Sequence, residues 1–167
     1  PLQAEAMKAF EALMTPSFEE LDEEIPFIAE KTLIKNLKTL FLILAGTGVQ
    51  KYMQQLQEEQ EILMAAADIA IQIFAIESAV LRAEKILSKL SEAKQGQLKA
   101  TVKVFTFNAT EEAASAAKKA AYYLEEGDSL MMLLSGVRRF TKYDASGLLA
   151  AKRTVAAAAL DAEHYIF

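Results

Sequence analysis

The sequence predicts an all-α fold, an antiparallel bundle of about four main helices with a short leading helix. Only six of the 167 residues are Gly and three are Pro, while residues that favour helix, such as Ala, Leu, Glu and Lys, are abundant. Apolar residues also recur at the three- and four-residue spacing of a helix over several long segments. Hydrophobic residues make up 53% of the chain, so we expect a single helical domain over 1–167, a fragment of a longer chain.

The leading helix is expected from Leu2 to Met14. The residues Thr15-Pro16-Ser17 then end it, because the residue before a proline is disfavoured in the α region. The acidic segment over 19–24 is interpreted as a solvated link to Pro26, which suits the first turn of the next helix.

The second helix is expected from Phe27 to about Leu56, where apolar residues form a stripe. Its middle, Leu40 to Leu44, is apolar all round, and this predicts a helix at the centre of the bundle. Gly46 and Gly48 would allow a neighbouring helix to approach closely.

A break must follow, because one helix across the Gly- and Pro-free region from Val49 to Gln95 would be too long for a compact domain. The polar run from Gln54 to Glu61 is the best position for this break. A second long helix is therefore expected from about Glu58 to Leu90, antiparallel to the first.

A third long helix is expected from roughly Gln97 to Glu126, ended by Gly127. The β-branched and aromatic residues from Thr101 to Phe107 also suit a strand, but no partner strand is apparent, so the helical interpretation is kept.

Two shorter helices complete the prediction. Asp128 or Ser129 would cap the first of them, which runs to about Phe140. The last would run from Leu148 to near His164.

Composition excludes several classes of function. The net charge is −5 and the basic residues are scattered, so no nucleic-acid partner is expected. With no Cys and one His, the chain offers no thiolate metal site and no Glu-x-x-His pairs for a di-metal centre. The lack of Cys also suits a reducing compartment, and we expect a cytoplasmic protein. Uninterrupted apolar runs are far shorter than the ~20 residues of a spanning helix, so none is expected.

Two carboxylates lie inside the most apolar part of the sequence, Ile62 to Leu81. Asp68 and Glu77 would be at least partly buried there, and a buried carboxylate must be paired or hydrogen-bonded to stay ionised. An acid/base role is one hypothesis. An interhelical pair, for example of Asp68 with a lysine of the preceding helix, is preferred because no second catalytic group is apparent.

The segment Ala67-Asp68-Ile69-Ala70, continuing to Ile86, resembles a helix of the acyl-CoA dehydrogenase C-terminal bundle. That helix typically reads Ala-Asp-Met-Ala and ends in Tyr-Arg-Ala, and here Asp68 and Arg82 stand where the family has Asp and Arg. Residues 35–87 are more closely similar to the extra helical domain of very-long-chain-type members, and 153–167 to its last helix. Arg82 therefore joins Asp68 and Glu77 as a candidate buried polar residue of structural importance.

The resemblance implies a non-catalytic C-terminal domain appended to an FAD-dependent dehydrogenase that oxidises fatty acyl-CoA in β-oxidation. No catalytic, cofactor-binding or metal residue is expected in this segment, because the flavin and acyl-CoA sites would lie upstream. Its implied partners are the upstream catalytic domain, a second subunit in a dimer, and the membrane surface, for which Lys94 to Lys103 is a poor candidate. The alternative is a free-standing helical protein-interaction module.

Overall fold

The computed structural model describes residues 2–15, 22 and 24–162, and within them the chain forms six α-helices and no strand. A 3₁₀ helix, Met53–Glu58, joins the second α-helix to the third. The α-helices are α1 (Leu2–Met14), α2 (Ile28–Tyr52), α3 (Gln60–Leu87), α4 (Glu92–Leu124), α5 (Gly127–Phe140) and α6 (Leu148–Ala162). The predicted all-α fold is confirmed. Most of the predicted acidic link and His164 lie outside the described residues.

The predicted break between the first two long helices is confirmed. The backbone leaves α2 at Met53, where φ is 48° and ψ is −118°, and regular α-helix resumes at Gln60. The segment from Thr101 to Phe107 lies inside α4, so its helical interpretation is also confirmed. The bounds of α1 agree with the prediction at both ends.

The prediction for the start of α5 is wrong. Neither Asp128 nor Ser129 caps this helix, and no side-chain cap bond is present there. The helix begins earlier, at Gly127, which was predicted to end α4. Gly127 has a left-handed φ of 56°, a conformation that glycine adopts without steric cost, and it turns the chain out of the extended backbone of Glu126.

The core lies between α2, α3 and α4, with α3 making its most extensive contacts along α4. From α2 and α3 it receives large aliphatic side chains, whereas α4 contributes a row of alanines. Because alanine side chains are short, the α3 and α4 backbones can approach closely. The fully buried residues include Leu37, Ile69, Ile76, Ala113, Ala117 and Leu124.

A close contact between α1 and α2 occurs at Gly46. A Cβ atom added there would lie 2.9 Å from Cβ of Ala6, a separation that real Cβ atoms do not show. The predicted close approach is therefore confirmed for Gly46. Gly48 is different, because an added Cβ would be no nearer than 3.5 Å to Leu56 and Leu124, an ordinary contact.

Cationic side chains from distant elements bind carbonyl oxygens at two helix ends. The Arg139 guanidinium donates to the carbonyls of Ala12, Leu13 and Thr15, at 2.9, 3.2 and 3.2 Å, and so caps the end of α1. Lys51 Nζ donates to the carbonyl oxygen of Leu124, the last residue of α4. The final carbonyls of a helix lack intrahelical donors and carry partial negative charge, so these contacts stabilise both ends.

By length and composition alone, two segments could cross a membrane, Ile28–Glu58 and Gln60–Leu87. Core helices of bundles meet the same criterion, and α2 and α3 both contribute to the core described above. In the most apolar window of the second segment only 28% of residues are buried inside the chain, against 44% in the first. Much of the apolar surface of α3 therefore lies on the outside of this bundle.

Candidate functional site

The three polar residues singled out in the sequence, Asp68, Glu77 and Arg82, all lie on α3 but not together. Asp68 and Arg82 are exposed, so the prediction that they are buried is wrong. Each precedes a core residue by one position, and one residue of a helix is a rotation of about 100°, which carries the side chain out of the core face. Glu77 follows the core residue Ile76 and is therefore turned to the opposite flank, toward α2.

The expected interhelical ion pair exists, but Glu77 makes it in place of Asp68. Glu77 Oε1 accepts a hydrogen bond from Lys38 Nζ at 2.6 Å, and about two helical turns away Glu84 Oε1 pairs with Lys31 Nζ at 2.5 Å. These pairs border a groove of about 420 Å³ between α2 and α3. Because each glutamate stands against a lysine, the two pairs add no net charge to the groove.

A buried polar contact that the sequence did not reveal joins the α5–α6 loop to the start of α2. Tyr143 Oη donates to Oε1 of Glu30 at 2.6 Å, and Glu30 is 8% exposed. Burial and the neighbouring carboxylate raise the pKa of Tyr143 well above its ordinary value of 10.0. The phenol therefore stays protonated and serves as a fixed donor to a carboxylate that would otherwise be buried without a partner.

The loop after Tyr143 is ordered by a local turn. The Asp144 carboxylate accepts hydrogen bonds from Ser146 Oγ and the Ser146 backbone N–H, at 2.6 and 2.9 Å, and these bonds lower the pKa of Asp144. Lys103 Nζ also donates to the Ser146 carbonyl oxygen at 3.0 Å. Together these contacts fix the turn that leads into α6.

The described part of the chain contains no group of three His, Cys, Asp or Glu residues that could hold a metal ion. The polar contacts that join distant elements lie at separate places in the fold: Glu30 with Tyr143, the lysine–glutamate pairs at the α2–α3 groove, Arg139 at the end of α1, Lys51 at the end of α4, and Lys103 at the loop before α6. Each of these contacts joins two elements of the bundle.

The outer face of α3 is the main exposed apolar surface of the helix. Four large side chains on it are exposed, Met64 by 65%, Ile71 by 59%, Phe74 by 73% and Leu81 by 60%. Ala67 and Ser78 fall between them on the same face, so the set recurs with alternating spacings of three and four residues. We call these six residues the α3 stripe. Its spacing is that of the contact positions of a coiled coil.

The α3 stripe lies opposite the core face of the same helix. The core residues of α3 are Ile62, Ala65, Ile69, Ile73, Ile76, Val80 and Ala83. At about 100° per residue, the mean direction of these side chains is nearly opposite to that of the stripe. The helix therefore has two apolar faces, and only one of them is covered by this chain.

The segment from Lys94 to Lys103, considered for membrane contact, has no comparable surface. Its apolar residues Leu98 and Val102 are buried in the core, and Lys103 is bonded to the loop before α6. An interfacial helix needs exposed apolar residues beside its basic ones. This segment does not supply them.

Comparison with known proteins agrees with this geometry. A sequence model described as "Acyl-CoA dehydrogenase, C-terminal domain" matches residues 36–139, which comprise most of α2, all of α3 and α4, and α5 except its last residue. The chain belongs to the acyl-CoA dehydrogenase family. The family resemblance inferred from the sequence is thereby confirmed.

Two relatives contain a similar domain within a longer chain. A probable acyl-CoA dehydrogenase of Bacillus subtilis is 37% identical over 136 residues, which are 81% of this chain and 23% of the relative. The crystal structure of an acyl-CoA dehydrogenase complexed with FAD from Bacillus anthracis matches 100% of this chain and 28% of its own, with 37% identity and a TM-score of 0.91. The chain thus spans about a quarter of the length of these relatives.

Proposed function

We propose that this chain is a non-catalytic C-terminal accessory domain of an FAD-dependent acyl-CoA dehydrogenase and that it supports subunit assembly. The end-to-end match to about a quarter of a dehydrogenase complexed with FAD carries the proposal. The flavin and the acyl-CoA would bind in the catalytic part of the longer protein. We propose further that the enzyme acts in fatty acid β-oxidation in the cytoplasm, and that its extra domain is of the very-long-chain type.

An accessory role is supported by what the charged residues of the domain do. The lysine–glutamate pairs join α2 to α3, the Tyr143–Glu30 bond joins a loop to α2, and Arg139 joins α5 to α1. Each contact holds two elements of the bundle together. Function is then expected at the surface, where the domain can meet other parts of the enzyme.

Assembly is favoured over membrane contact by the charges beside the α3 stripe. Glu61, Asp68 and Arg82 flank it on one side, and the two glutamates on the other side are those paired with lysines of α2. Helices that lie in the membrane interface are usually rich in Lys and Arg on the polar face, because lipid headgroups are often anionic. The charges beside the stripe are of both signs and show no excess of basic residues, which favours a protein partner over a lipid surface.

The proposal is tested by comparing the full-length protein with the 167-residue chain. Full-length protein should contain bound flavin, seen by its visible absorbance, and should reduce an electron acceptor when a long-chain acyl-CoA is added. The separate chain should show neither property, and neither FAD nor acyl-CoA should raise its unfolding temperature. Stoichiometric flavin on the separate chain, or a full-length protein without acyl-CoA dehydrogenase activity, would contradict the proposal.

A further inference from the structure

The order of residue sizes along the α3 stripe reads nearly the same in both directions. Its centre lies between Gln72 and Ile73, and residues at equal distances from that point match in size. The matching pairs are Ile71 with Phe74, Ala67 with Ser78, and Met64 with Leu81. Large, small and large side chains thus succeed one another outward from the centre in each direction.

Such an order of sizes suits the packing of α3 against a second copy of the same helix. When two copies of a helix pack antiparallel about a twofold axis, residues at equal distances on opposite sides of the axis face each other. With the axis between Gln72 and Ile73, Ile71 would face Phe74 of the second copy, and Met64 would face Leu81. The small residues Ala67 and Ser78 would meet in the layers between, leaving room for the large ones on either side.

Charges beside the stripe agree with this arrangement. Glu61 and Arg82 are both exposed and lie on the same flank of α3. In the antiparallel pair, Glu61 of one copy would stand about 3 Å along the axis from Arg82 of the other, at 1.5 Å per residue. The twofold axis repeats this attractive contact at the other end of the stripe. Opposite charges beside a coiled-coil seam favour one partner and one orientation.

We propose that the α3 stripe is a homodimer contact in which α3 of one copy packs antiparallel against α3 of a second copy about this twofold axis. The inference rests on the proposed function, because it names the partner and the surface through which the domain supports assembly. The large side chains of the stripe are 59–73% exposed in this chain, which spans about a quarter of the length of its relatives.

Cysteine cross-linking tests the orientation directly, because the 167-residue chain has no native Cys. The chain encloses its own core, drawn from α1 to α5, so the test uses it as a folded unit. Two single variants are made, Met64→Cys and Leu81→Cys, and treated with a short bis-maleimide. In the antiparallel pair, position 64 lies opposite position 81, whereas two copies of position 64 are about 25 Å apart along the axis.

The expected result is a cross-linked dimer when the two variants are mixed and little or none with either variant alone. A dimer formed by Met64→Cys alone would indicate parallel packing and would overturn the proposal. No dimer in the mixture, with both thiols reactive toward a monofunctional maleimide, would also overturn it. Circular dichroism confirms that each variant is folded before the test.

A second measurement tests the central residue. Phe74→Glu should raise the dissociation constant of the dimer, measured by sedimentation equilibrium, by about 30-fold or more, since a central aromatic side chain is a typical hot spot. The matched control compares Met64→Glu with Met131→Glu, because both methionines are 65% exposed but Met131 lies on α5. Only the change at Met64 should weaken the dimer, and equal effects would contradict the assignment.

The cross-linking result is independent of the flavin and activity tests. An active, flavin-containing full-length enzyme whose α3 cysteines are protected from maleimide without intermolecular cross-links would leave the proposed function standing. It would show that the catalytic part of the same chain covers the stripe, and the homodimer contact would be refuted. A cross-linked antiparallel dimer of a protein without dehydrogenase activity would support the homodimer contact and refute the proposed function.

Discussion

Replacing Gly46 by Ala tests how closely α1 packs on α2. The added Cβ would lie 2.9 Å from Cβ of Ala6, whereas carbon atoms in contact normally stay about 3.5–4.0 Å apart. Relief of the clash therefore requires the two helices to separate by roughly 0.6–1.1 Å. Overpacking of this kind costs about 1–3 kcal/mol, and the higher helix propensity of Ala offsets about 1 kcal/mol. We expect the free energy of unfolding to fall by up to about 2 kcal/mol.

Urea unfolding followed by circular dichroism measures the effect, with two matched glycine-to-alanine controls. Gly96→Ala in α4 meets no atom within 4 Å, so it should raise the free energy of unfolding by roughly 0.8–1 kcal/mol through helix propensity. Gly48→Ala makes ordinary contacts from 3.5 Å and should also be tolerated. The double variant Ala6→Gly with Gly46→Ala removes the clash and should recover most of the loss. If Gly46→Ala stabilises the chain as much as Gly96→Ala does, the packing argument fails.

Three further predictions concern the polar contacts. Arg139→Met removes the donor to three carbonyls at the end of α1. We expect the free energy of unfolding, measured in urea, to fall by about 1–2 kcal/mol and hydrogen exchange in α1 to become faster. Unchanged exchange would show that the cap is dispensable. Because the pKa of Tyr143 is raised above 10.0 in the folded chain, its contribution to stability is complete below that pH and declines as pH rises further. At pH 7, Tyr143→Phe should therefore lower the free energy of unfolding by about 1–3 kcal/mol, because Glu30 loses its hydrogen-bond donor. As pH rises above about 10, the variant should lose less stability than the parent chain. A double-mutant cycle on Lys38 and Glu77 should give a coupling energy under about 1 kcal/mol, since both side chains are partly exposed. A value of several kcal/mol would contradict this expectation.

The helices could be predicted from the sequence because their signals are local. The polar run after Tyr52 breaks the long apolar region, and Pro16 follows directly on the turn that ends α1. Contacts between distant residues left no such signal. Tyr143 and Glu30 are 113 positions apart, and nothing in the sequence near either one indicates the other. Only the fold brings them together.

The wrong prediction for Asp68 has a physical reason in the two-faced helix. A dense apolar segment suggests burial on all sides, so the carboxylate within it was expected to be buried too. In the structure the apolar residues of α3 divide into a core face and the α3 stripe, and Asp68 lies on the flank between them. Composition reports the sum of the two faces, and it cannot show that one of them is left exposed by the rest of the chain.

A helix that is apolar on two opposite faces needs two partners to remove both from water, since exposed contiguous apolar surface is unfavourable in a protein that stays monomeric. This chain supplies α2 and α4 for the inner face and leaves the outer one exposed. An acyl-CoA dehydrogenase offers two sources for the second partner, the catalytic part of the same chain and another subunit. The order of residue sizes along the stripe distinguishes these two sources. Contact with an unrelated surface imposes no relation between the residues before and after Gln72. In a twofold contact, each half of the stripe must complement the other half. The near-symmetric series from Met64 to Leu81 satisfies that requirement.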